Sequence, residues 1–121
     1  MKRILAALAL IVGLGVTLTA CAPTAEAIEV EPTTVIIDVR TPEEFASGHL
    51  EDAVNIDVQS GDFAARISEL DPEASYIVYC RSGARAGNAV AQMAELGITD
   101  AVNAGGVDAA SQATGIPIVT G

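Results

Sequence analysis

The sequence predicts an α/β layer structure with a mainly parallel sheet. Two observations carry this. Short runs of β-branched, aromatic and small residues alternate along the chain with segments of helical periodicity. The run at Val35 to Asp38 ends in charge and the run at Ser75 to Cys80 leads into a glycine-containing loop, and in such sheets ligands sit at the carboxyl ends of strands. The 121 residues suffice for one such domain and not for two.

Each element has its own warrant. "TVIIDVR" places a buried strand at Val35 to Asp38 that ends in charge. "TPEEFASG" follows with Thr41 as N-cap, Pro42 at the first helical position, Glu43 and Glu44 in the first turn and Gly48 as the stop. "AVNIDV", residues 53–58, reads as a second short strand. Phe63, Ile67 and Leu70 recur at helical spacing, and Asp71-Pro72 ends that helix. Ser75 to Cys80, "SYIVYC", is a third strand. Ala86, Ala89, Val90, Met93 and Leu96 form one stripe of the next helix, with Gly97 as its C-cap. "DAVNAGG", residues 100–106, gives a last short strand and a Gly-Gly turn, and "SQATGIPIVTG" closes the chain.

The amino end reads differently. Lys2 and Arg3 precede an uncharged stretch from Ile4 to Leu18, and small residues then lead into Cys21, the three-part layout of a secretory signal. "LTAC", residues 18–21, resembles the bacterial lipobox. That resemblance implies removal of residues 1–20, lipidation of Cys21 and an extracytoplasmic protein tethered to a bacterial membrane. Residues 21–33, acidic and with two prolines, read as the tether, and residues 34–121 as the domain. Without the signal, four arginines face sixteen acids, a formal charge of −12. So acidic a body has no electrostatic attraction for nucleic acid or anionic head groups. Any anion site must be a local exception.

With Cys21 lipidated, Cys80 is the one free thiol, and no internal disulfide is possible. "CRSGAR", Cys80 to Arg85, leaves a strand, passes through glycine and enters a helix. Backbone N–H groups converge in such a loop and form a nest for an anion. A thiolate there gains about 0.3–1 kcal/mol from the helix dipole. Arg81 and Arg85, half the cations that remain, add charge nearby. Cys80 is therefore expected to be a solvent-accessible thiolate nucleophile, with Arg81, Ser82, Gly83, Ala84 and Arg85 as its anion-binding loop. The competing expectation is a buried structural cysteine in apolar surroundings. Asp38 and Arg40, at the end of the first strand, are candidates for a wall of the same pocket. Asp38 also reads as a structural hydrogen-bond acceptor, and Arg40 as a partner of Glu43 or Glu44. One histidine and one free cysteine supply no standard zinc site, and no cofactor motif is present.

"DVRTPEEFASGH", "AVNI", "YCRSGARAG", "LG" and "NAGG" stand in the order and spacing of single-domain rhodaneses. The resemblance runs from Val35 to Gly121 and is strongest to small exported sulfurtransferases of the phage-shock-protein-E type. It implies a three-layer fold, trimmed at the N-terminus. It also implies a thiosulfate-type sulfurtransferase that carries sulfane sulfur as a Cys80 persulfide, from a small anionic donor to cyanide or a thiol. In the same light, His49 and Tyr79 take structural roles. Cys80 to Arg85 is C-x4-R, whereas the cysteine phosphatases and arsenate reductases of related fold use C-x5-R, and residue 86 is alanine. A module that binds or senses polysulfide or oxyanions without turnover is the alternative. "GGVDAAS" lacks the tryptophan that commonly follows the glycine pair in the family, which leaves the acceptor open.

Overall fold

The structure, a computed structural model, describes residues 26–121. Residues 1–20, read from sequence as a signal, Cys21 and the start of the segment read as a tether lie outside the described residues. Strand β1 (Val35–Asp38) is central and pairs in parallel with β3 (Val54–Asn55) on one side and β4 (Tyr76–Cys80) on the other. Beyond β4 lies β5 (Ala101–Gly106), also parallel, so the sheet order is β3-β1-β4-β5. Among the described residues no strand or helix precedes β1.

Alternation along the strands builds two cores, one on each face. Ile37, Tyr76, Val78 and Cys80 face Phe63 and Ile67 of α2 (Phe63–Ser68) and Ala86, Ala89 and Met93 of α3 (Ala84–Glu95). The small residues of α3 let that helix lie close to the sheet. On the other face Ile36, Ile77 and Tyr79 pack with Leu50 and with Ala110 of α4 (Val107–Thr114). This makes the three layers of the fold.

The structure departs from the sequence reading in several places. Residues 107–114, to which the sequence reading assigns no element, form α4, with Asp108 in its first turn and Gly115 as a left-handed cap. Alanines and polar residues give that helix too weak an apolar stripe to announce itself. The glycine pair does not turn the chain; β5 runs through Gly106. The strand read at residues 53–58 pairs only at Val54–Asn55. Two dipeptides, β2 (His49–Leu50) and β6 (Ile118–Val119), pair antiparallel in a small second sheet. Leu96, placed on the buried stripe, is 47% exposed; α3 ends there, and Gly97 in the left-handed region reverses the chain.

Candidate active site

Helix α1 (Pro42–Ser47) is set by a capping box: Thr41 Oγ1 accepts from Glu44 N–H at 3.3 Å, and Glu44 Oε1 accepts from Thr41 N–H at 3.3 Å. The same carboxylate takes a two-pronged ion pair from Arg85 in the first turn of α3, at 2.9 Å from each terminal nitrogen. Arg85 first, with help from the Thr41 cap, holds the Glu44 carboxyl down at about 2 against partial burial. Arg85 is raised in turn, chiefly by its hydrogen bonds to Glu44 and in smaller part by the charges of Glu44, Cys80 and Asp57.

Cys80 ends β4, the inner strand beside β1. Its side chain points to the α3 face and is fully buried, which corrects the expectation of an accessible thiol. Burial follows from register: Tyr76, Val78 and Cys80 share one face of a sheet that α2 and α3 cover. The loop Arg81–Gly83 turns over the sulfur, and the Gly83 N–H donates to Cys80 Sγ at 2.8 Å. Gly83 adopts φ 96° and ψ −18°, a conformation that favours glycine, and caps α3. Arg81 and Ser82 are exposed above it. The surroundings are thus mixed: aliphatic below, a backbone donor and Arg85 above.

The neighbouring strand presses on this loop. β5 holds one residue more than β4 between the pairs Val78–Asn103 and Cys80–Gly106, a bulge that brings Gly106 beside the thiol. A side-chain carbon at Gly106 would lie 2.5 Å from the Arg81 carbonyl oxygen, so only glycine fits. Asn103 Nδ2 donates to the Gly83 carbonyl at 3.0 Å. Neither Glu44 nor Asn103 is singled out for the Cys80 site by sequence. The T-x-x-E spacing announces Glu44 as a cap, and nothing local announces its partner 41 residues on.

Asp38 and Arg40 do not join this group. Asp38 stands opposite Tyr79 in register and shares its face, the one away from Cys80. Arg40 pairs with Asp38 rather than with Glu43 or Glu44: its Nη2 donates to Asp38 Oδ2 at 2.7 Å and to the Gly48 carbonyl at 2.5 Å. Burial pulls the Arg40 guanidinium down, but the hydrogen bonds and charge of Asp38 outweigh it and the net direction is up. Burial also pushes the Tyr79 hydroxyl well above its ordinary range, and its oxygen accepts from Leu50 N–H at 3.0 Å. His49 stacks on Phe45 at 3.7 Å, and its Nδ1 bonds the Phe45 carbonyl at 2.9 Å. These side chains brace the connection from β1 to β2.

Two clefts, of 170 and 360 Å³, are lined by residues such as Thr34, Ser75 and Asp100 in one and Glu31, Glu51 and Ile116 in the other. Neither includes a residue of the cysteine loop. Among the described residues no cluster is arranged to hold a metal ion.

Known proteins resemble this chain over much of its length. Residues 24–113 match the Rhodanese-like domain family. A protein named Sulfurtransferase from Allochromatium vinosum is 34% identical over 85 residues, 70% of this chain and 78% of its own. Thiosulfate sulfurtransferase PspE of Escherichia coli is 34% identical over 71 residues, 59% of this chain and 68% of its own. The solved structure titled rhodanese with anions from E. coli superposes with a TM-score of 0.59 at 31% identity, covering 73% of this chain and 99% of that one.

Proposed function

The chain belongs to the rhodanese-like domain family, and from that premise we propose that it is a thiosulfate-type sulfurtransferase working through Cys80. The observation that carries this reading is the Gly83 N–H aimed at Cys80 Sγ from the start of α3, with Arg85 close by. Donors so placed favour sulfur as an anion, both as thiolate and as persulfide.

The reaction divides into two displacements. The Cys80 thiolate attacks the outer sulfur of thiosulfate; the S–S bond to the sulfonate breaks, and its electron pair leaves with sulfite. Cys80 then carries a terminal persulfide anion. Cyanide, or a thiolate, attacks that terminal sulfur, the S–S bond to Cys80 breaks, and its electrons restore the Cys80 thiolate as thiocyanate, or the acceptor's own persulfide, departs. The displacement starts from the thiolate form of Cys80, toward which the Gly83 N–H is aimed. Loop Arg81–Gly83 must shift for a donor to reach the buried sulfur. Arg81, exposed on that loop, would be the first charge a dianionic donor meets.

Purified protein should convert thiosulfate and cyanide into thiocyanate, and intact mass should rise by one sulfur atom after thiosulfate alone. Cys80→Ser should lose both. Absence of both from the wild-type chain refutes the reading. A second reading, capture of polysulfide or an oxyanion without turnover, draws on the burial of Cys80 and the neutralisation of Arg85 by Glu44; a stable persulfide with no thiocyanate would favour it. The lipobox at residues 18–21 further suggests export and anchoring through lipid on Cys21. Labelling by a palmitate analogue, lost in Cys21→Ser, tests that.

A further inference from the structure

We propose that Asn103 is a positioning residue for the sulfur chemistry of Cys80: it fixes Gly83 so that the Gly83 N–H points at the thiolate. This deepens the sulfurtransferase reading and rests on it only for the turnover half of the test.

Asn103 stands opposite Val78, two residues before Cys80 and on the same face of the sheet. Its side chain crosses from the sheet to the loop. Nδ2 donates to the Gly83 carbonyl at 3.0 Å, and Oδ1 accepts from the Gly105 N–H at 2.9 Å. The second bond decides the first. With Oδ1 held by Gly105, the amide presents its nitrogen to Gly83, and a flipped amide would set oxygen against the carbonyl. The Gly83 oxygen also accepts the first helical bond, from Gly87 N–H at 2.9 Å, so two donors pin it.

That pinning matters because Gly83 has no side chain to restrain it, and glycine has the most backbone freedom to lose. Its φ of 96° is held from outside or not at all. Apart from Cys80 itself, Asn103 makes the one side-chain hydrogen bond to loop Arg81–Gly83 among the described residues. The space around it is shaped for the contact. A side-chain carbon at Gly87 would come within 3.4 Å of Asn103 Nδ2, and one at Gly83 within 3.3 Å of the Gly105 Cα. A relay results in which Gly105 orients Asn103, Asn103 orients Gly83, and Gly83 donates to the sulfur.

The test titrates the thiolate by its ultraviolet absorbance in the full chain, comparing wild type, Asn103→Ala and Asn103→Asp. Each is paired with its Cys80→Ser counterpart as a blank, which subtracts Cys21 and the tyrosines. Arg85, Glu44 and Asp57, the charges coupled to the site, stay in every variant. In Asn103→Ala the half-ionisation pH of Cys80 should rise by about one unit, and thiosulfate kcat/KM at neutral pH should fall about tenfold. Asn103→Asp keeps the shape but cannot donate to Gly83 and adds a negative charge, so its titration should move at least as far. It reads the proposal alone if the alanine variant does not fold. An unchanged titration in either folded variant overturns the proposal, even where turnover falls. A shifted titration in a protein without sulfur turnover sustains the positioning role and sinks the sulfurtransferase reading instead.

Discussion

Replacing Glu44 by glutamine should cost stability only where the carboxylate is charged. Glutamine keeps the capping geometry at Thr41, so the change isolates the ion pair with Arg85. Carried over in full, the displacement of the Glu44 carboxyl from an ordinary 4.5 to about 2 corresponds to about 3 kcal/mol. The two side chains are 23% and 28% exposed, and screening by water reduces the expected figure to about 1–2 kcal/mol. The sign follows from the direction of the shift. A carboxyl depressed in the folded state contributes stability that is complete above its unfolded value and is lost as pH falls through the folded one. The wild type should therefore exceed Glu44→Gln by the full amount near neutrality, with the gap closing between pH 4.5 and about 2. Urea unfolding of both proteins across that range measures the gap directly. Equal stability at neutral pH, or a gap that persists at the acid end, refutes the reasoning.

Other substitutions test other parts of the site. Asp38→Asn leaves the Arg40 guanidinium buried without its counter-charge and should destabilise the fold by about 3–5 kcal/mol in denaturant unfolding. Gly106→Ala places a carbon against the Arg81 carbonyl and should cost about 1–3 kcal/mol by the same measurement, while thiocyanate formation falls because the cysteine loop is displaced. Arg81→Ala should raise the KM for thiosulfate and flatten its dependence on ionic strength with little effect on stability, since that side chain is exposed.

Much of this organisation is legible in the sequence because local rules and tertiary structure agree there. Val35–Asp38 and Tyr76–Cys80 are apolar runs that a parallel sheet buries on both faces, and Thr41, Pro42 and Glu44 together make a helix start from local contacts alone. Residues 107–114 were opaque for the opposite reason: Ala110 and Ala113 are its only fully buried residues, and alanine marks no face by itself. The two-residue strands β2 and β6 owe their existence to each other, His49 opposite Val119 and Leu50 opposite Ile118, and no local pattern encodes so distant a pairing. At the site, residue types near Cys80 are readable, but partners are not. Acids and arginines in one region could pair in several ways, and register decides among them. Asp38 is turned to the Tyr79 face by a period of two, which takes it away from Cys80 and gives it to Arg40.

The two arginines beside the thiol consequently do different work. Arg85 is spent on Glu44, and together they add no net charge to the loop; the pair fastens the start of α3 to the start of α1. Arg81 remains exposed, on the covering loop. An anion approaching the cysteine loop therefore meets Arg81, which makes no ion pair among the described residues, and below it a backbone donor already turned toward sulfur. A backbone N–H carries no counterion and does not titrate, so it favours an anion without drawing on the net charge of the chain. That division suits an acidic chain, of formal charge −10, to holding an anion beneath its surface. If Cys80 carries the sulfur as proposed, the pose of one glycine should weigh more on its chemistry than the number of arginines.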